Sequence, residues 1–457
     1  MKSKFLYSLL LLSCLAYGQD RAARLDSLLT ARFNDGSFNG NILVAEKGNI
    51  IFEKSYGFAN LETGTKLNTN SVFELASVSK QFTAMAIVLL QKQGKLQYDD
   101  KISKYIPELA FYGDITVRNL LNHTGGLPDY MELFEKHWDK SKFAVNQDIM
   151  DLFAKHKPAA VFSPGEKFEY SNTGYALLAT IIERASKKSF GDYLQANIFK
   201  PLKMENTLVY RSRYKPQAIK NYAMGYVTDS IGKLMLPDSF GKAYYTYYLD
   251  GIVGDGMVNS TIHDLLKWDR ALYTDKLVSQ KDKDLIFNGV VTKDGNNTNY
   301  GFGWMIPPTD KYGKRMTHSG GWAGYITYIE RGIEKDYTII LLQNNGTPKT
   351  KIPSADVRKI LHNEKLDVAA QAITLKPEEL LPYLGTYATT EFPMKIIIAK
   401  NDKGLTAQAT GQSAFPLDAY GNHKFGFKPA EIKVEFKPAE NVMILDQGGS
   451  AVVFKKE

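Results

Sequence analysis

The chain has 457 residues, of which 44% are hydrophobic and 23% charged, and its formal net charge is +8. The length predicts two or three domains, and the composition is that of a globular protein. The basic residues are scattered and form no block with interleaved aromatics, so the sequence does not indicate nucleic-acid binding. A single cysteine and seven histidines without H-x-H or H-x-x-x-H spacing argue against a cysteine nucleophile and against a metal site. We expect no cofactor.

The N-terminus, MKSKFLYSLLLLSCLAYGQD, combines two early lysines, an apolar run and a small-x-small ending. This pattern predicts a secretory signal peptide over residues 1–18 and therefore a periplasmic or secreted protein. The apolar run is too short for a stable membrane span, and no later stretch reaches the required length. An alternative is lipid attachment at Cys14, which the leucines at positions 12 and 15 fit poorly.

The next stretches predict a helix (RAARLDSLLTARF), a hairpin around Lys-Gly-Asn, and the apolar helix of FELASVSKQFTAMAIVLLQKQG. Ser77 and Lys80 lie near the start of this last helix, three residues apart and therefore on one face. The pattern S-x-x-K occurs four times, but only this copy precedes a helix free of glycine and proline. Alone it favours an ordinary N-cap serine and a solvated lysine.

Residues from about 95 to 290 are mostly helical in pattern, and three strands (KRMTHSG, GYITYIERG, DYTIILLQN) and a helix follow. Strands near both ends with helices between them predict an α+β domain over 19–365, in which one antiparallel sheet carries an inserted helical lobe. After residue 365 short strands alternate with turn residues. They predict a linker over 366–375 and a small up-and-down β-domain over 376–457.

Two more motifs follow the first in order. Tyr170-Ser171-Asn172 precedes an apolar helix, and His318-Ser319-Gly320-Gly321 ends a strand. Each has an ordinary structural explanation. Asn172 or Thr173 would cap the helix, and the second motif would be a polar turn between strands. Their order and their secondary-structure context make the combination more specific than its parts.

Together these motifs resemble the S-x-x-K, Y-x-N and K/H-[ST]-G set of the penicillin-recognising serine hydrolases: class C β-lactamases, D,D-carboxypeptidases, D-aminopeptidases and related esterases. The stretches LLNHTGGLPDY, SPGEKFEYSNTGYALL, GDGMVNSTIHDLLKW and THSGGWAGY also resemble segments of this family, and the match covers about residues 20–362. The resemblance implies a β-lactamase/transpeptidase-like fold, with the antiparallel sheet flanked by helices. The tail resembles the lipocalin-like domain often appended to such proteins.

The residue types suit nucleophilic catalysis. A serine hydroxyl needs a base to remove its proton, and Lys80 lies within reach of Ser77. Tyr170 is the other candidate base, and because Ser77, Lys80 and Tyr170 titrate as a unit the sequence leaves the choice open. His123 could suggest a Ser-His-Asp triad, but no G-x-S-x-G elbow accompanies it. We expect His123 to brace a loop at the cleft rim.

The resemblance also implies roles in substrate binding. Asn172 would position Lys80 and bond the substrate amide, and the N–H groups of Ser77 and Gly321 would form the oxyanion hole. Residues His318 to Gly321 would form the wall that aligns the substrate. His318 stands where β-lactamases usually have lysine, and a histidine offers a weaker, pH-dependent cation to a substrate carboxylate. This departure argues against efficient penicillin hydrolysis.

The expected function is that of an exported serine hydrolase that forms an acyl-enzyme with esters or amides, such as D-amino-acid peptides or small esters. The alternative is a non-hydrolytic sensor or binding protein that is acylated without turnover. The sequence does not determine the substrate, the oligomeric state or the role of the tail.

Overall fold

The computed structural model describes residues 20–366, 372–389, 394–402, 404–430, 432–447 and 450–457. The predicted signal peptide, including Cys14, and residues 367–371 of the predicted linker lie outside this part of the chain. The chain separates into two compact units between Glu364 and Lys365.

The strands of the first unit are β1 Gly40–Glu46, β2 Asn49–Tyr56, β3 Phe58–Asn60, β4 Thr65–Lys66, β5 Phe73–Glu74, β6 Leu208–Val209, β7 Tyr226–Thr228, β8 Leu234–Met235, β9 Val258–Ser260, β10 Arg315–Trp322, β11 Tyr325–Gly332, β12 Tyr337–Gln343 and β13 Asn345–Gly346. Five of them form an antiparallel sheet in the order β10-β11-β12-β1-β2. β1 lies between β2 and β12, with Gly40 opposite Gln343. The prediction of one sheet built from both ends of the domain is confirmed.

The helices of this unit are α1 (20–34), α2 Lys80–Lys92, α3 Val117–Leu121, α4 Tyr130–His137, α5 Asn146–His156, α6 Asn172–Ser186, α7 Phe190–Leu194, α8 Tyr245–Tyr248, α9 Ile262–Ala271, α10 Gln280–Ile286 and α11 Ser354–Leu361. α2 and α6 pack against each other, and nearly every α2 side chain is buried. Burial on nearly every side holds α2 within the core, and the helix therefore fixes the position of the residues at its start.

Ser77 lies in a single 3-10 turn, Ala76–Ser79, that leads directly into α2. Strand β10 packs closely on this turn at Gly320. A β-carbon at position 320 would lie 2.3 Å from the Leu75 carbonyl oxygen and 2.3 Å from Thr327 Oγ1. Only glycine permits this approach, so the glycine of the third motif brings the strand against the serine turn.

The second unit is a closed barrel whose strands follow chain order: β14 Gly385–Ala388, β15 Lys395–Asn401, β16 Gly404–Ala409, β17 Phe415–Gly421, β18 Lys424–Phe427, β19 Ile432–Lys437, β20 Val442–Gln447 and β21 Ser450–Lys456. The predicted small all-β domain of up-and-down type is confirmed. Ile373, which the sequence places in the linker, donates its backbone N–H to the Ala419 carbonyl oxygen in the barrel at 2.8 Å.

Each unit has its own apolar core, and the two clusters of buried side chains share no residue. A chain that ends at Lys365 is therefore expected to fold and to unfold in one cooperative transition. Near-UV circular dichroism with a thermal scan, compared with the full chain, measures this. An aggregated or molten product would show that the barrel is required for the first unit to fold.

Candidate active site

Lys80 is fully buried, and its ammonium group donates to three acceptors. Nζ lies 3.1 Å from Ser77 Oγ, 2.9 Å from Asn172 Oδ1 and 2.8 Å from the Asp255 carbonyl oxygen. An ammonium group has three N–H donors, so all of them are used. The structure thus brings Ser77, Lys80 and Asn172 into one hydrogen-bonded group, in which the serine is partly exposed.

Asn172 reaches Lys80 because another residue caps its helix. Ser171 is the N-cap of α6, and its Oγ accepts the Gly174 N–H at 3.1 Å. The sequence suggested Asn172 or Thr173 as the cap. With the cap at Ser171, the Asn172 side chain is free to accept from the buried lysine.

Tyr170 meets Lys80 through its ring. Nζ lies 5.0 Å from the ring centroid, a cation–π distance, and no hydrogen bond joins Nζ to the phenol oxygen. Tyr170 as a whole is 36% exposed. Lys80 is therefore the proton-accepting candidate in direct contact with Ser77, whereas Tyr170 contacts Lys80 through its ring.

His123 holds the Tyr170 loop in place. Its Nδ1 accepts the Ser171 N–H at 2.9 Å, its carbonyl oxygen accepts the Glu169 N–H, and its ring lies 4.3 Å from that of Tyr170. Burial lowers the pKa of His123 well below its ordinary value, and the nearby Lys80 cation acts in the same direction. His123 contacts the loop and not Ser77, which fits the bracing role and not a catalytic triad.

A cavity of about 50 Å³, called here the catalytic cavity, opens beside Ser77. Asn172 and Gly321 also line it, and Gly321 has open space where a β-carbon would point. Gly321 pairs with Ile326 near the end of β10, on the strand that packs against the serine turn. Ser77 and Gly321, the predicted oxyanion pair, therefore line the same cavity.

His318 differs from expectation. It is 1% exposed, and it does not line the catalytic cavity. Its Nδ1–H donates to the Ser319 carbonyl oxygen at 2.6 Å, and its Nε2 accepts from the Tyr300 hydroxyl at 3.0 Å. Burial, together with the Lys80 cation, lowers the pKa of His318 to about 3. The prediction of a histidine cation available to a substrate carboxylate near neutral pH is therefore wrong.

We expect His318 to stay a neutral Nδ1–H imidazole between about pH 5 and 8, where an unperturbed histidine would change charge. Long-range ¹H–¹⁵N spectra, with His318→Gln to assign the ring signals, measure this directly. Because the unfolded chain protonates this histidine near pH 6.5 and the folded chain does not, its contribution to stability is lost as pH falls below about 6.5. The loss is about 1.4 kcal/mol per pH unit, and a smaller slope is expected in His318→Gln. A ring that titrates near pH 6.5 would contradict the assignment.

Sequence reasoning missed several residues around Ser77. The Asp255 carbonyl accepts from Lys80, and its carboxylate accepts from the Tyr130 hydroxyl at 2.9 Å. Glu74 and Trp322 line the catalytic cavity as well. All four lie within or beside the stretches that carried the family resemblance, so those stretches were the available signal. No periodicity or spacing identifies them individually.

Within the described residues, no group of three or more histidine, cysteine, aspartate or glutamate side chains could hold a metal ion. In the same part of the chain, every helix is too short or too polar to cross a membrane.

Residues 25–363 match the Beta-lactamase family model. Penicillin-binding protein 4* of Bacillus subtilis is 38% identical over 443 residues, which cover 94% of this chain and 98% of that protein. Among solved structures, the octameric penicillin-binding protein homologue from Pyrococcus abyssi has a TM-score of 0.67 at 24% identity, covering 95% of this chain and 99% of that one.

The D-amino acid amidase from Ochrobactrum anthropi SV3 has a TM-score of 0.60 at 23% identity, covering 76% of this chain and 99% of that one. At these identities the two structures establish the fold. The family match and the similarity to the B. subtilis relative establish the family as well as the fold. The chain therefore belongs to the beta-lactamase family of serine hydrolase-like proteins.

Proposed function

We propose that this protein is a serine hydrolase that cleaves esters or amides through an acyl-enzyme at Ser77. The observation that carries the proposal is the buried Lys80, whose Nζ lies 3.1 Å from Ser77 Oγ and 2.9 Å from Asn172 Oδ1. Burying a charged lysine costs folding free energy, so stability does not explain why Lys80 is buried. Its position is that of a group that exchanges a proton with the serine.

In the proposed reaction, one member of the Lys80–Tyr170 pair has first released a proton to solvent. Ser77 Oγ then attacks the substrate carbonyl carbon while its own proton passes to that pair. The carbonyl oxygen becomes an oxyanion opposite the N–H groups of Ser77 and Gly321. The bond to the leaving group then breaks, and the leaving group receives that proton. Water attacks the resulting ester in the same way, which releases the acid and restores Ser77.

D-amino-acid peptides and small esters are the proposed substrates. The similarity to a penicillin-binding protein over nearly the whole chain supports a ligand of the cell-wall peptide class. A neutral, buried His318 supplies no cation for the carboxylate of a penicillin. Weak β-lactam hydrolysis at most is therefore proposed. Export to the periplasm or medium is part of the proposal and rests on the sequence of residues 1–18 alone.

The test is labelling with a fluorophosphonate probe followed by turnover of nitrophenyl esters, D-alanyl peptides and nitrocefin. We expect labelling at Ser77 and continuous turnover of the esters, with nitrocefin the poorest substrate. A stoichiometric burst followed by a stable adduct on Ser77, for every substrate, would instead support the sensor alternative. No labelling and no turnover would refute both.

A further inference from the structure

A second cavity, of about 510 Å³, adjoins the catalytic cavity in the first unit, and we call it the side cavity. The two cavities share Glu74 and Trp322 in their walls. Tyr222 and Arg213 also line the side cavity. Its volume is in the range of small-ligand sites, and a substrate bound at Ser77 has this space available next to it.

Glu74 ends β5, three residues before Ser77. It is 4% exposed, and no described residue donates a hydrogen bond to its carboxyl group. Buried carboxyls in folded proteins nearly always have such partners, because an unpaired buried charge costs several kcal/mol. The cation that acts on this carboxyl group, Arg213, is already engaged, since it donates to Asp238 at 2.8 and 2.7 Å and to Asp250 at 3.3 Å. An unpartnered acid between two cavities is placed for a ligand.

The local charges favour a positive ligand. The pKa of Glu74 is raised to about 8, mainly by burial. The carboxyls of Asp250 and Asp255 also raise this pKa, and the Arg213 cation lowers it. Carboxyls therefore outnumber cations around this group. A cation that enters the side cavity would stabilise the ionised form of Glu74 and would regain, from the carboxylate, the hydrogen bonds that it lost from water.

We propose that Glu74 and the side cavity form a subsite that binds a primary ammonium group of the substrate, an inference that rests on the proposed function. The ammonium is either the free α-amino group of an aminoacyl substrate or the end of an amine-bearing side chain. Both offer the same chemistry, an N–H donor with a positive charge, to the same carboxyl group. The subsite selects cationic over neutral substrates and takes no part in acylation.

The experiment compares kcat/KM for two matched pairs of p-nitrophenyl esters at one pH. Each ester is prepared from the D- and from the L-amino acid. Alanine esters with a free or an acetylated amino group probe an α-ammonium. Nα-acetyl-lysine and Nα-acetyl-norleucine esters probe a side-chain ammonium. For at least one pair, the ratio of kcat/KM for the cationic ester to that for the neutral ester should fall about tenfold or more in Glu74→Gln.

Glu62→Gln is the matched control, since it removes the same charge from an exposed position outside both cavities and should leave the ratios unchanged. Unaltered ratios in Glu74→Gln for both pairs would overturn the subsite. If the wild-type protein neither takes up the fluorophosphonate nor turns over the neutral esters, the proposed function fails instead. If Glu74→Gln does not fold, the test uses the wild-type protein. We then expect n-butylammonium to inhibit turnover of the neutral esters competitively and better than n-butanol does. Equal inhibition by the two compounds would overturn the subsite.

Discussion

Ser77→Ala is expected to eliminate fluorophosphonate labelling and to lower ester turnover by at least about 10³-fold, because it removes the only atom that forms the acyl bond. The fold should be unaffected, since Ser77 is partly exposed and its Oγ accepts a single hydrogen bond from Lys80. Intact-protein mass spectrometry after labelling, with initial-rate kinetics on a nitrophenyl ester, measures both effects.

Ser79→Ala is the matched control, two residues further along the same 3-10 element. Ser79 is fully buried, and its Oγ accepts the Val258 N–H at 3.1 Å. We expect most of the activity to remain, while stability falls by about 1–3 kcal/mol because the Val258 N–H loses its acceptor. Loss of labelling in Ser79→Ala with retention in Ser77→Ala would refute the assignment of the nucleophile.

Asp269→Ala is expected to lower the free energy of unfolding by about 3–5 kcal/mol, the cost of leaving a buried charge without its partner. Asp269 in α9 is fully buried and accepts from Arg331 Nε in β11 at 2.8 Å and from Thr338 Oγ1 in β12 at 2.6 Å. Arg331 is itself 1% exposed, so water cannot replace the lost carboxylate. Urea denaturation followed by tryptophan fluorescence measures the difference.

The surface pair of Arg118 and Asp99 provides the control. Arg118 donates to both oxygens of Asp99 at 2.7 and 2.9 Å, but the Asp99 side chain is 74% exposed. Asp99→Ala should therefore change the unfolding free energy by no more than about 1 kcal/mol. If the two substitutions lowered the unfolding free energy equally, the Asp269 carboxylate would not be compensating the buried charge of Arg331.

The sheet and the barrel could be predicted because their signals are local. Alternating apolar strands around Lys47-Gly48 indicate a hairpin, and both residues have the positive φ that such a turn requires. The same holds for the short strands of the tail. The helix α2 was equally evident, since a long apolar run without glycine or proline has few alternatives.

The electrostatics of the site could not be predicted in the same way. The motif identifies His318 but not the residues around it. The neutral state of His318 depends on the contact with Tyr300 and on burial, and both arise only in the folded chain. Lys80 likewise bonds the backbone carbonyl of Asp255, an interaction that no residue type encodes. Ala76, immediately before Ser77, has a φ of +48°. This left-handed conformation costs an alanine about 1 kcal/mol, and the residue type does not predict it.

The pairing of β1 with β12 has a consequence for how the chain acquires its structure. Gly40 and Gln343 are opposite each other, so the centre of the sheet cannot form until nearly the whole first unit is available. Contacts between residues so distant in sequence close late, because a long loop must be ordered before they form. The barrel, in contrast, pairs consecutive strands and, but for its closing pair, needs only short loops. In refolding experiments the two units should therefore acquire structure at different rates, with the barrel first and the serine turn, which depends on β10, among the last regions to become native.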